Sequence, residues 1–165
     1  MTTDRFRLGI ESLAAGGDGV GRVDGAVCFV PFTAPGDVAL VRVTRRARGF
    51  LRAELIEIER PGPSRRPPPC PLAGRCGGCT WLHVDEAAQR AAKASFLARA
   101  LDGRERPVHP SPLALGYRRV ARLHFEPKGS GRAALGFISV RGRGAVAIDA
   151  CPVVDPAIER ALPRV

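Results

Sequence analysis

The amino-acid sequence predicts a mostly β chain with some α, in which an N-terminal OB-like barrel over residues 1–60 precedes a small α+β domain over residues 70–165. Three observations predict it. Residues 5–60 repeat short apolar runs with turn chemistry between them and show no helical period. Pro61-Gly62-Pro63-Ser64-Arg65-Arg66-Pro67-Pro68-Pro69 can sustain neither helix nor central strand, so residues 61–69 read as a stiff linker. Directly after it, Cys70-Pro71-Leu72-Ala73-Gly74-Arg75-Cys76-Gly77-Gly78-Cys79 gathers three of the five cysteines into ten residues, which points to a metal loop.

The elements follow in order. Phe6, Leu8 and Ile10 alternate with polar neighbours, Val27 to Phe32 form a compact apolar run, and Val38 to Val43 and Leu51 to Ile58 complete about five strands. Gly16-Gly17-Asp18-Gly19, Asp24-Gly25 and Pro35-Gly36 supply the reversals between them. The Gly16–Gly21 stretch is a hairpin turn rather than a phosphate loop, because no Lys-Ser/Thr and no helical pattern follow it. Beyond the cysteines, Asp85 caps a helix to about Leu101, with Glu86 and Arg90 spaced as an i,i+4 pair and Gly103 at its end. This helix is expected beside the metal loop.

Strands return at Val120–Phe125 and Ala133–Ile138, joined through Lys128-Gly129-Ser130-Gly131, and a third at Ala145–Ile148 leads into Cys151. Asp155-Pro156 sets an N-cap and first helical position, so a helix opens near Ala157. A helix that opens this close to Val165 is what a piece of something longer would show.

Charge narrows the partner. Lys and Arg number 26 against 16 Asp and Glu, a net +10. Residues 1–60 hold 9 basic and 8 acidic side chains and residues 61–165 hold 17 and 8, so the excess lies beyond the barrel. Tyr117, Arg118, Arg119 and Arg122 form its densest basic and aromatic patch. On a strand Arg118 and Arg122 would share a face, suited to single-stranded RNA, the bland alternative being a solvated sheet face or a codon bias toward Arg. The N-terminus has no signal-peptide pattern and no run of about 18 apolar residues occurs, so a cytoplasmic chain with reduced thiols is expected.

In that setting the cysteines are metal ligands in waiting. The spacing C-x5-C-x2-C leaves the fourth ligand open among Cys28, His83, His109, His124 and Cys151. Zinc would close on His83, four residues after Cys79, and an iron–sulfur cluster would take Cys151. Spacing alone leaves both standing.

Leu13-Ala14-Ala15-Gly16-Gly17-Asp18-Gly19-Val20-Gly21-Arg22 and Phe29-Val30-Pro31-Phe32-Thr33-Ala34-Pro35-Gly36-Asp37 resemble a TRAM domain, an RNA-binding barrel. The series continues with the cysteine loop, His83, Gln89, Lys93, Gly116-Tyr117-Arg118-Arg119, Leu135-Gly136-Phe137 and Cys151-Pro152. Together these resemble the SAM-dependent RNA 5-methyluridine methyltransferases of the RlmD and TrmA kind, closest to the branch acting on large-subunit ribosomal RNA. The resemblance implies that Cys70, Cys76, Cys79 and Cys151 ligate a 4Fe-4S cluster, and it decides for that cluster over zinc. Leu82 departs from the Gln that such proteins carry before the His, and Cys28 has no place in the ligand set and reads as a buried structural thiol.

In that family a Rossmann-like C-terminal domain binds S-adenosyl-L-methionine and supplies the nucleophilic thiolate. The resemblance therefore implies an N-terminal part of an enzyme, with no catalytic or SAM-binding residue in these 165 and no activity alone. Its expected partners are RNA, ribosomal above all, and a separate or missing methyltransferase domain, with no membrane. The alternative is a free-standing RNA-binding module with a structural metal site.

Overall fold

The computed structural model describes residues 5–104, 106–129, 132–140 and 142–162. The chain forms two compact units, Met1–Pro67 with Thr80–His109 and Pro68–Cys79 with Pro110–Val165.

The first unit is built on β1 (Arg5–Gly9), β2 (Ser12–Leu13), β3 (Gly19–Val23), β4 (Ala26–Val30), β5 (Val38–Ala47) and β6 (Phe50–Arg60). The hydrogen-bonded order is β1-β5-β6-β4-β3-β2, antiparallel throughout except for the parallel pair β4–β6. β1 and β2 are one bent strand. Its first half pairs with β5, Leu8 opposite Ala39, and its second half pairs with β3, Leu13 opposite Gly19. A strand held on both sides by different halves joins the two ends of the sheet, so the expected OB-like barrel forms and closes.

The period-two pattern explains the core. Leu8, Ile10, Cys28, Val30, Val41 and Leu51 point inward and are almost fully buried, while their chain neighbours face outward. Bulges in the long β5–β6 hairpin, at Val38/Ala39, Leu40/Val41 and Val43/Arg45, give it the bend a small barrel requires. At the closure Gly21 is obligatory, since a Cβ there would stand 2.4 Å from the Gly9 carbonyl oxygen.

The Pro-rich stretch is anchored to this barrel. Fully buried Asp37 accepts from the Gly62 amide at 2.8 Å and the Ala34 amide at 2.6 Å, and the Arg65 guanidinium bonds both its oxygens, Nη2 at 2.7 Å and Nε at 3.0 Å. Arg65 also donates to the Phe32 carbonyl at 2.8 Å. A buried carboxylate thus holds residues 62–65, and the compact unit that contains the barrel continues to Pro67.

Helix α1 (Glu86–Ala100) belongs to the same unit. Asp85 caps it, accepting the Ala88 amide at 2.8 Å, and Gly103, at φ +84°, donates to the Ala98 carbonyl at 2.8 Å as the chain leaves it. Ala88, Ala92 and Phe96 form its apolar stripe and pack with Trp81, Leu13, Ala34 and Val84. Within its unit the helix lays this stripe on Leu13 and Ala34 of the barrel. Glu86 lies 3.5 Å from Arg66 instead of serving a pair with Arg90.

The second unit carries an antiparallel sheet, β7 (His124–Lys128), β8 (Arg132–Ile138) and β9 (Ala145–Ala147), in the order β7-β8-β9, and a short helix α2 (Pro156–Ala161) capped by Asp155. The strand expected from Val120 begins only at His124. Before it, Arg118 forms an isolated parallel bridge with Val154, its amide bonding the Val153 carbonyl at 3.0 Å while the Asp155 amide bonds its own carbonyl at 2.9 Å. The partner of Arg118 is the 153–155 segment, whereas that of β7 is β8, so Arg118 and Arg122 do not share a strand face. Ser130 and Gly131 of the expected turn lie outside the described residues.

Candidate metal centre and basic segment

The cysteine loop is a succession of turns tied to the sheet of its unit. Ala73 and Cys76 amides donate back to the carbonyls of Cys70 and Leu72, at 3.1 and 2.9 Å. The Gly77 amide then donates to the Ile138 carbonyl at 2.9 Å, and the Val140 amide to the Arg75 carbonyl at 3.0 Å. This close approach is why residue 77 is glycine: a Cβ there would lie 2.7 Å from the Ile138 oxygen. The loop is thereby fixed to the end of β8.

Cys151 enters from the other end of the unit. It is buried, its amide donates to Glu159 Oε1 at 3.1 Å, and its carbonyl accepts the Val154 amide at 3.2 Å. Although 71 residues separate Cys79 from Cys151, both lie in one unit, and the Cys79 thiol is within electrostatic reach of Cys151, Cys76 and Cys70. Burial pushes the Cys76 thiol up, the Gly78 amide at 3.4 Å from its sulfur pulls it back, and the Cys70 and Cys151 thiols push it up again. Cys79 is likewise raised, first by burial and then by Cys151, Cys76 and Cys70, against the opposing pull of Arg118.

Thiolates gathered this closely repel one another and form together only where positive charge is supplied. Arg118 supplies part of it. Half-buried, it reaches the Gly78 carbonyl with Nη2 at 3.3 Å and lies 5.9 Å from the centre of the Phe137 ring. Among the described residues no group of three or more His, Cys, Asp or Glu side chains stands at separations that would close on one metal ion. The arrangement is a convergence of thiols with a cation beside it.

The other residues singled out by sequence separate into distinct environments. Tyr117, Arg119 and Arg122 are exposed, Tyr117 by 50 %, on the segment that approaches β7. His83 belongs to the barrel unit, where burial lowers its pKa and Nε2 stands 3.2 Å from the Thr33 carbonyl oxygen. Cys28 is fully buried inside the barrel, as a structural thiol should be. The supporting parts that the sequence does not announce are Glu159, for which it carries no signal, and the Phe137 ring under Arg118.

Residues 2–56 match the TRAM domain family. The chain is 40% identical over 129 residues to an uncharacterized RNA methyltransferase of Bdellovibrio bacteriovorus, covering 74% of this chain and 33% of that protein. It is 37% identical over 155 residues to the 23S rRNA (uracil(1939)-C(5))-methyltransferase RlmD of Acidithiobacillus ferrooxidans, covering 90% and 35%. Among solved structures it matches the Pyrococcus abyssi tRNA (uracil-54, C5)-methyltransferase in complex with S-adenosyl-L-homocysteine, at a TM-score of 0.65 and 31% identity over 94% of this chain and 34% of that one. The barrel is a TRAM domain. Over most of its length the chain is similar to RNA methyltransferases, RlmD among them, and it spans about a third of the length of the curated relatives it matches. No helix among the described residues is long and apolar enough to cross a membrane.

Proposed function

We propose that these 165 residues are the RNA-recognition part of a cytoplasmic, SAM-dependent ribosomal RNA uracil-C5 methyltransferase, and that Cys70, Cys76, Cys79 and Cys151 hold a 4Fe-4S cluster. The observation that carries the reading is the meeting of the 70–79 loop with distant Cys151 beside Arg118, in a chain related to RlmD. The donor set fits the group. Four thiolates about one zinc ion at ~2.3 Å would crowd to a spacing of about 4 Å, whereas a cluster gives each thiolate its own iron and accepts a wider ring.

When bound, the cluster supplies charge neutralisation and a cross-link, since moving a methyl group from SAM to uracil needs no net redox change. The chain's own residues do the rest. Cys70, Cys76 and Cys79 fasten the loop, Cys151 fastens the segment after β9, and Arg118 offsets thiolate charge. Tyr117, Arg119 and Arg122 are offered to RNA phosphates and bases, together with the TRAM barrel. SAM binding and methyl transfer belong to the remainder of such a protein, so the 165 residues alone bind RNA without methylating it.

Anaerobic purification with a visible spectrum and iron, sulfide and zinc analysis tests the centre. About four irons and four sulfides per chain are expected; stoichiometric zinc without iron would reject the cluster. Incubation with SAM and unmodified ribosomal RNA tests the division of labour, and methyl transfer by this chain alone would refute it.

A further inference from the structure

The outer face of the barrel carries a second cluster of aromatic and basic side chains, remote in sequence from Tyr117–Arg122. Because β4 and β6 send Cys28, Val30, Leu51 and Ala53 inward, Phe29, Phe50 and Arg52 point outward. The register aligns Arg45, Arg52 and Phe29 in one row across β5, β6 and β4, with Phe50 opposite Val27 in the next row. The two phenyl rings meet edge to face with centroids 5.9 Å apart and remain half-buried on the surface.

Charge surrounds them. Residues 42–52 contain five arginines and no acidic residue, and Arg45 and Arg48 are exposed at the tip of the β5–β6 hairpin. Arg52 is aimed by Asp18, whose Oδ2 lies 3.0 Å from its Nη1, so that the guanidinium sits 5.7 Å from the Phe29 ring centre. The near balance of charge over residues 1–60 conceals this patch: of the acids near it, Asp18 is paired with Arg52 and Glu54 with Arg42, while Asp37 is buried and Glu57 and Glu59 lie near the end of β6.

We propose that this face is a base-stacking platform for single-stranded RNA, with Phe29 and Phe50 receiving bases and Arg45, Arg48 and Arg52 meeting the phosphates. The inference rests on the RNA reading above and gives the barrel its contact surface. Aromatic rings beside arginines on an outward sheet face suit unpaired bases, which have free faces to stack; bases inside an A-form duplex do not.

The test uses the whole 165-residue chain and a labelled single-stranded RNA of about 12 nucleotides, alone and annealed to its complement. Phe29→Leu and Phe50→Leu keep apolar bulk and remove the flat ring; Arg45→Gln and Arg48→Gln remove charge at exposed positions. Single-stranded RNA should bind in preference to duplex, and each Leu variant should weaken it by about 5- to 100-fold with an unchanged salt slope. The Gln variants should each lower the salt slope by about one, the share of a single neutralised phosphate. Folded Leu variants that bind as the parent does would overturn the platform alone. If those variants fail to fold, an unaltered affinity and salt slope in the Arg45→Gln, Arg48→Gln double variant overturns it instead. A parent chain that binds no RNA overturns the RNA reading with it, and a preference for duplex or for an acidic protein would reject the stacking role.

Discussion

The two units are held together by different means. The TRAM barrel buries Leu8, Ile10, Val30, Val41 and Leu51 inside a closed ring of strands and locks the following Pro-rich stretch with a fully buried, multiply bonded carboxylate. Among its described residues the cysteine unit buries Ala134, Ile148, Cys151, Val153, Val154 and Leu162 and leaves Leu113, Val120 and Phe125 exposed, Val120 by 82 %. Small cores gain most from a cross-link, and the thiols are where this unit could make one. On the cluster proposal, the barrel is self-supporting and the cysteine unit is metal-dependent.

The sharpest way to break this comparison is Cys151→Ser. It should abolish the brown colour and iron content and unfold the second unit, seen as rapid proteolysis beyond residue 110, because metal binding there is folding free energy. The barrel should not notice. Trp81 is the chain's single tryptophan, donates to the Gly17 carbonyl at 3.0 Å and lies in the barrel unit, so the denaturation midpoint of its emission, rather than its intensity, which a nearby cluster would quench, reports that unit. A normal iron content in Cys151→Ser would remove residue 151 from the ligand set.

The converse variant is Asp37→Ala, which leaves Arg65 and the amides of Ala34 and Gly62 without their acceptor. Breaking a buried ion pair from one side costs about 3 to 5 kcal/mol. Urea denaturation followed by Trp81 should show a loss of that size, while iron content stays that of the parent. A loss under about 1 kcal/mol would mean that the linker is held by something other than this pair.

What could be read from the sequence divides along the same line. Strand positions in the barrel were legible because alternation such as Phe6-Leu8-Ile10 carries the inward face directly. Helix α1 was legible from Asp85 and Gly103. Its packing partner was not, since the meeting of Phe96 with Trp81 depends on how residues 80–85 leave the cysteine loop. Equally hidden were the Asp37–Arg65 pair, 28 residues apart, and the bridge from Arg118 to Val154, which no local pattern encodes. Three thiols announced themselves by spacing, but Cys151 as their companion came only from the family resemblance.

Acidity should separate the units by a smaller amount. Burial holds the His83 value below its usual range, so the unfolded chain binds that proton more readily than the folded one. Barrel stability is therefore fully present above about pH 6.5 and falls as pH drops from there through the folded value. Burial alone would raise Asp37, but Arg65 and the two amides outweigh it and hold the carboxyl low. This contribution is present above about pH 4 and is lost as pH falls through the folded value. The Trp81-monitored melt should show two successive losses on acidification, and His83→Gln should erase the upper one. An unchanged upper step in that variant would assign it to another group.

The smallest effects concern the arginines that sequence grouped together and structure separates. Arg118→Gln removes the cation beside Gly78 and Phe137 and should lower iron retention, with the thiols losing the positive charge that favours their ionised form. Arg119→Glu with Arg122→Glu should leave the visible spectrum intact and weaken RNA binding, reducing its salt slope by about two. If Arg118→Gln instead left iron unchanged and altered only the salt slope, Arg118 would rejoin the RNA-facing residues, and the cysteine unit would hold its thiolates without a cation of its own.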